Sequence, residues 1–198
     1  PEYSNSPGLP LYLFIDDLMK FLGREYYVGL FTAAALHGAS HQSSMTNEVI
    51  VTGSPLRPLE NDNVSIKFHV KNDISNDNIV KMKSDSGYFN VSSPELTALD
   101  LIYYSKEWGI ERILPVLDEL REEMKPAALY NCALSYSVAS VKKLGFLLDV
   151  YFKDERLSEK LYKAYIRDND PNYTLLSSQG EKKGDKNKKW KIVRNIEL

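Results

Sequence analysis

The sequence has one cysteine, Cys132, so no intrachain disulfide can form. A chain without disulfides suits a reducing compartment, and a cytoplasmic location is expected. Histidine is scarce as well, with His37, His41 and His69 the only three. Zinc needs three or four ligands. His37 and His41 stand four apart, but Gly38 interrupts the helix that would align them, and HExxH is absent. No metal site is expected, and a capping or hydrogen-bonding histidine is the better reading. Walker A, GxGxxG and GxSxG are also missing, and Cys132 lies in NCALS with no histidine nearby, so no cofactor and no nucleophilic centre is expected. No uncharged apolar run reaches the ~18 residues of a membrane span, which leaves no membrane partner to expect. The opening residues PEYSNSPGLP lack both the basic region and the apolar core of a signal peptide. They also lack an initiating methionine, and a processed chain or a piece of a longer product is the expectation. A net charge of −2 does not describe a nucleic-acid-coating protein.

What is present suits a globular domain. The 198 residues, 43% hydrophobic and 26% charged, suffice for one substantial domain. Charge is unevenly spread. Between residues 181 and 198, seven basic residues (Lys182, Lys183, Lys186, Lys188, Lys189, Lys191 and Arg194) face three acids, giving +4 there and −6 elsewhere. A solvated loop before a last strand and a phosphate-backbone contact both fit that pattern.

Periodicity divides the rest. Residues 1–10, with three prolines and a glycine, read as a linker. Residues 11–22 carry apolar side chains at helical spacing, and Gly23 stops them; adjacent Asp16 and Asp17 diverge on a helix and read as a solvated face. Residues 26–42, YYVGLFTAAALHGASHQ, read as one buried helix ended by Gly38 as its C′ residue. Strand character follows at residues 48–52, 64–70, 79–82 and 88–91. Ser93-Pro94-Glu95 is a helix start: Ser93 caps, Pro94 suits the first turn, and Glu95 meets the positive dipole end. Thr97 and Asp100 lie among apolar residues of that helix, and Asp100, the carboxylate expected to be partly buried, needs a partner. Helical patterns continue at 111–124, 126–130, 137–152 and 156–167, with a turn at 168–171. Strands are expected at 173–176 and 190–194. The expected class is α+β, a mixed sheet of about four to six short strands packed with six or so helices.

Several segments together resemble the C-terminal region of AbiEi-family proteins, the antitoxins of type IV toxin–antitoxin systems. They are PEYSNSPGLP, FIDDLMKFLGREYYVGLFTAAALHGASHQ, NEVIVTG, VSSPELTALDLI, VKKLGFLLD and WKIVRNIEL. The combination of YYVGLFTAAALHGASHQ with SSPELTALDL is the specific part. The resemblance implies an antitoxin and transcriptional autorepressor, linked to phage resistance, that opposes an AbiEii-like nucleotidyltransferase toxin. It further implies that residues 1–10 link to a DNA-binding winged helix absent here, that residues 11–198 are the effector domain, and that operator DNA is a partner of the full-length protein. Family members often have Arg-Arg-Leu-Gly where this chain has Lys142-Lys143-Leu144-Gly145, which keeps the charge and loses the bidentate fork.

Two functions follow. The first is a non-enzymatic regulatory module whose basic contacts are Lys142, Lys143 and the loop Lys182, Lys183, Lys186, Lys188, Lys189 and Lys191. His37, His41, Gln42, Thr97 and Asp100 form its structural and functional core. The second is a degenerate nuclease-like or nucleotide-handling enzyme domain with Asp100 as its metal carboxylate. Against it, Ser65 stands where a carboxylate should precede Lys67 by two residues, and Lys81 precedes Lys83 in the same way. A pairing of Lys143 with Asp100 is a further expectation.

Overall fold

The computed structural model describes residues 9–39, 46–61, 64–166 and 170–198. His41, Gln42, residues 1–8 of the expected linker and Asp168 lie outside these.

The first helical pattern splits into a 3-10 turn, Leu11–Leu13, and helix α1, Ile15–Leu22. Phe14, at φ −136°, separates them. Ile15 and Met19 are fully buried, and Gly23 ends the helix in the left-handed region at φ +61°. Asp16 is bound by Lys20 at 2.6 Å and by the Tyr26 hydroxyl at 2.9 Å, while Asp17 stays on the exposed side.

The expected single helix over residues 26–42 is corrected. Tyr26–Val28 is a strand, β1, and helix α2 spans only Leu30–Leu36. The three β1 residues are buried, because the strand runs through the middle of a sheet with both faces covered. A short apolar run reads alike as a central strand or a buried helix, and here aromatic and β-branched side chains decide for the strand. The turn at Gly29 is tied down from the neighbouring strand. Gly29 N–H donates to the Glu48 carbonyl, and Phe31 N–H donates to the Glu48 carboxylate at 3.1 Å. Gly38 follows α2 at φ +78°, as its C′ role requires.

The remaining strands of this sheet are β2 (Asn47–Thr52), β3 (Leu59–Asn61), β4 (Val64–Lys71), β5 (Ile79–Ser84) and β6 (Gly87–Ser92). β3 falls in a stretch whose prolines and Asn/Asp residues read as a connection. The order is β3-β4-β2-β1-β6-β5. β2 and β4 are parallel, as are β1 and β6, and the other neighbours are antiparallel. β1 sends Tyr26 and Val28 to one side, where they pack with Ile15 and Met19 of α1 and with Val49, Val51 and Ile66. Tyr27 and Ile50 point to the other side, into the larger helical core.

That core is built by α3 (Pro94–Tyr103), α4 (Ile110–Glu123), α5 (Pro126–Ala133), α6 (Val138–Phe146) and α7 (Glu155–Tyr165). Ser93 caps α3 as expected, accepting from Leu96 N–H at 3.2 Å. The long helix expected over 137–152 changes register instead: α6 passes into a π-helical turn, Leu147–Tyr151. A second sheet closes the chain with β7 (Thr174–Leu175), β8 (Asp185–Asn187) and β9 (Ile192–Arg194), in the order β7-β9-β8. Trp190, expected at the start of the last strand, lies in the β8–β9 turn. The whole is an α+β fold, a six-stranded mixed sheet with seven α-helices and a small three-stranded sheet among the described residues.

Candidate functional site

Strand β4 carries two kinds of face. Ile66, Phe68 and Val70 meet the α1 side, and Lys67, His69 and Lys71 meet the helical layer. The polar face therefore builds a seam inside the protein. At its centre is Asp100 of α3, fully buried. Lys71 forms an ion pair with its Oδ1 at 2.8 Å, the Tyr136 hydroxyl donates to the same oxygen at 2.6 Å, and the Tyr27 hydroxyl donates to Oδ2 at 2.7 Å. Lys71 also donates to the oxygens of Tyr27 at 3.1 Å and Tyr136 at 2.5 Å, so two of its N–H groups are spent on phenols and its charge on Asp100. The partner of Asp100 is thus Lys71, and the expected pairing with Lys143 is corrected. A strand-end lysine 29 positions away has no sequence signal linking it to a helix carboxylate.

Two further polar groups line the seam. Glu48 on β2 is buried and caps α2 through its bond to Phe31 N–H. His69 is buried between carboxylates, with Nδ1 at 3.4 Å from Glu107 and Nε2 at 3.7 Å from Glu48. The rings of Tyr104 and Trp108 close over it. Sequence reasoning passed over Lys71, Tyr27, Tyr136, Glu48 and His69. The missed signal was that a strand flanked by helices has no free face for its polar residues.

His37 and Thr97 are brought together away from Asp100, at Ser92. His37 Nε2–H donates to the Ser92 carbonyl at 2.7 Å, and Thr97 Oγ1 meets Ser92 Oγ at 2.6 Å. Both residues lock the junction of α2, β6 and α3, and His37 is the hydrogen-bonding histidine expected.

The basic residues separate into groups. Lys142 is fully buried; its ammonium donates to Asp170 Oδ2 and the Asn172 carbonyl, both at 2.7 Å. Its expected place on a contact surface is corrected, because it fastens the segment after α7 onto α6. The Lys142 ammonium and Asn172 N–H hold the Asp170 carboxyl below its ordinary range. Lys143 is half-buried; burial lowers its pKa, and Lys106, a second cation, adds to the effect. The expected loop from Lys182 is largely the β8–β9 hairpin. Lys186 and Lys191 lie over the Tyr173 ring at 5.1 and 5.4 Å, and Lys189 pairs with Asp149 at 2.7 Å. Lys182, Lys183 and Lys188 are exposed and form no ion pair among the described residues.

The hairpin is anchored by the motif Lys142-Lys143-Leu144-Gly145. Trp190 is fully buried against Gly145, stacks on Tyr165 at 5.8 Å, and donates Nε1–H to Asp149 Oδ2 at 2.8 Å. The sequence profile of the AbiEi antitoxin C-terminal domain matches residues 27–150, which holds the whole polar seam and this glycine. The chain belongs to the AbiEi antitoxin C-terminal domain family. The crystal structure of the RV2827C protein from Mycobacterium tuberculosis is similar in fold, with a TM-score of 0.63 and 12% identity over 93% of this chain and 67% of that one. No curated protein gives a significant match.

In this AbiEi domain the Asp100 carboxylate is fully engaged, while the buried His69 Nε2 has no hydrogen-bond partner among the described residues. Asp100 has no exposed oxygen with which to bind a metal, and no group of three or more His, Cys, Asp or Glu side chains among the described residues is placed to hold one. No helix among the described residues is long and apolar enough to cross a membrane. Burial and the Asp100 charge push the Tyr27 and Tyr136 phenols well above 10.0, and burial raises the Cys132 thiol from 9.0 to about 12. These groups stay neutral in the fold and ionise earlier in the unfolded chain. Above about pH 9 the unfolded state therefore holds fewer protons, and stability falls as pH rises. Thermal melts should be flat in this respect below about pH 8 and decline from about pH 9 upward; an unchanged midpoint at pH 10.5 would contradict the buried, neutral seam.

Proposed function

We propose that this domain is the effector part of a cytoplasmic type IV antitoxin and transcriptional autorepressor that counteracts an AbiEii-like nucleotidyltransferase toxin. The observation that carries the reading is the family match over residues 27–150. The domain, residues 11–198, acts without catalysis, by contact. Its contact surface is the β8–β9 hairpin and the segment leading into it, where Lys182, Lys183 and Lys188 stand exposed and unpaired among the described residues. Operator DNA bound by the full-length protein, or an acidic partner surface, is the matching chemistry. Lys143 is a weaker contributor, since its ammonium is half-withdrawn from solvent.

The enzymatic alternative has less support. Asp100, its one candidate carboxylate, already neutralises Lys71 and accepts from two phenols.

Growth rescue tests the reading. An AbiEii-like toxin is expressed with the wild-type chain, the full-length protein, and a Lys182→Glu/Lys183→Glu/Lys188→Glu variant. Rescue by wild type is expected, with a clear loss in the variant while its melting temperature stays within about 2 °C, as surface changes away from packing allow. Operator binding by the full-length variant should show a smaller slope of log K against log salt, by roughly 0.9 for each phosphate contact removed. Equal rescue and an equal salt slope would remove the hairpin from the mechanism.

A further inference from the structure

The Lys71 cluster does not end inside the protein. It forms the floor of a cleft of about 300 Å³ at the carboxyl end of β4, between the loop after that strand and the α3, α5 and α6 region. This volume lies at the small end of ligand sites. Ile74 and Leu96 give the cleft an apolar wall. Tyr103, 52% exposed, stands on its rim edge-on to Tyr136, with ring centres 6.4 Å apart. Asn72, Asp73 and Asn78 also line it, and their side chains make no hydrogen bond among the described residues.

We propose that this cleft binds a neutral, planar polar ligand of the nucleoside class. Two uncommitted amides offer the paired donor and acceptor that read the edge of a base. The Asp73 carboxylate accepts from sugar hydroxyls, as an acidic residue does in dinucleotide sites. The exposed Tyr103 ring supplies a stacking face. A phosphate is disfavoured on the same grounds. The charge of the Lys71 ammonium is already matched by Asp100, and Asp73 repels an anion at the mouth.

Calorimetric titration of the chain with adenosine, guanosine, cytidine and uridine, each beside its 5′-monophosphate, tests the assignment. One nucleoside should bind with saturation, and its monophosphate at least about tenfold more weakly, as the uncompensated charge requires. Tyr103→Ala should weaken binding by roughly tenfold through lost stacking, and Asn78→Ala should weaken it and change the preferred base. Tyr103 is exposed, and an unchanged melting curve establishes that its variant is folded. A trinucleotide carrying the preferred base separates a free nucleoside from a nucleic-acid strand, and it should bind no better than the monophosphate. The proposal is overturned if no nucleoside binds up to about 10 mM, beyond the weak end of specific recognition, if the phosphorylated forms or the trinucleotide bind more tightly, or if Tyr103→Ala leaves affinity unchanged.

Discussion

Asp100→Ala should destabilise the domain by about 3–5 kcal/mol, the cost of leaving a buried charge without its partner. The substitution removes the acceptor of two phenols, Tyr27 and Tyr136, and the counter-charge of Lys71 at once. Lys71 retains 19% side-chain exposure and can move part of its charge towards the cleft, which holds the effect near the lower bound. For a chain of this length each kcal/mol shifts the melting temperature by about 2–4 °C, so a fall of roughly 6–20 °C is expected. Asp100→Asn should cost less, because the amide oxygen still accepts from one phenol. The pairing itself is tested by a double-mutant cycle. Lys71→Met and Asp100→Leu together should be less damaging than the sum of the two, with a coupling of about 1–3 kcal/mol, whereas Lys143→Met and Asp100→Leu should add without coupling. A loss below about 1 kcal/mol for Asp100→Ala would mean that the seam is not what holds β4 to α3.

The outcome bears on the choice between regulator and enzyme. A carboxylate kept for metal chemistry is held ready for an ion, with at least one oxygen turned to solvent or to other acids. Asp100 is turned to an ammonium and two phenols. Its burial without a partner would be prohibitive, and with Lys71 it becomes a neutral cluster that fixes how the sheet meets the helices.

Which parts of this could be read from the sequence follows from the range of the interactions involved. The α3 start was legible because Ser93, Pro94 and Glu95 act on backbone groups within one turn. Strands β2, β4, β5 and β6 were legible from alternation and β-branching. The need of Asp100 for a partner was legible from its apolar surroundings, but the partner was not, since Lys71 reaches it only through the packing of β4 on α3. Lys142 and Lys143 are neighbours with the same chemistry, and a step of about 100° around α6 sends one fully into the protein against Asp170 and leaves the other half-buried. Tyr26–Val28 looked helical because a strand buried on both faces loses the alternation that marks a half-exposed one. Trp190 alternates convincingly with Ile192, yet it fills a turn, since its ring packs against Gly145 of α6.

That last contact sets the second large effect. An added Cβ at residue 145 would stand 2.0 Å from Trp190 Cζ3 and 2.2 Å from Cη2, far inside any allowed contact. Alanine improves helix propensity by about 1 kcal/mol over glycine, so on local grounds Gly145→Ala should stabilise α6. The tertiary term runs the other way. Trp190 must leave a site where it is fully buried, stacked on Tyr165 and hydrogen-bonded to Asp149, a loss of about 3–5 kcal/mol for a displaced core tryptophan. A net destabilisation of roughly 2–4 kcal/mol is expected. The background that separates the two terms is Trp190→Ala. There the ring is gone, and Gly145→Ala should become neutral or stabilise by up to about 1 kcal/mol. The same sign in both backgrounds would show that the glycine is not there for the ring. The consequence reaches the contact surface, because Trp190 sits in the turn of the hairpin that displays Lys186, Lys188 and Lys189. In Gly145→Ala the hairpin loses its anchor while keeping every lysine. Trypsin should then cut between residues 182 and 191 well before the rest of the chain unfolds, and rescue of the toxin should weaken without any change in charge. Loss of rescue with an undigested hairpin would place the defect in α6 itself.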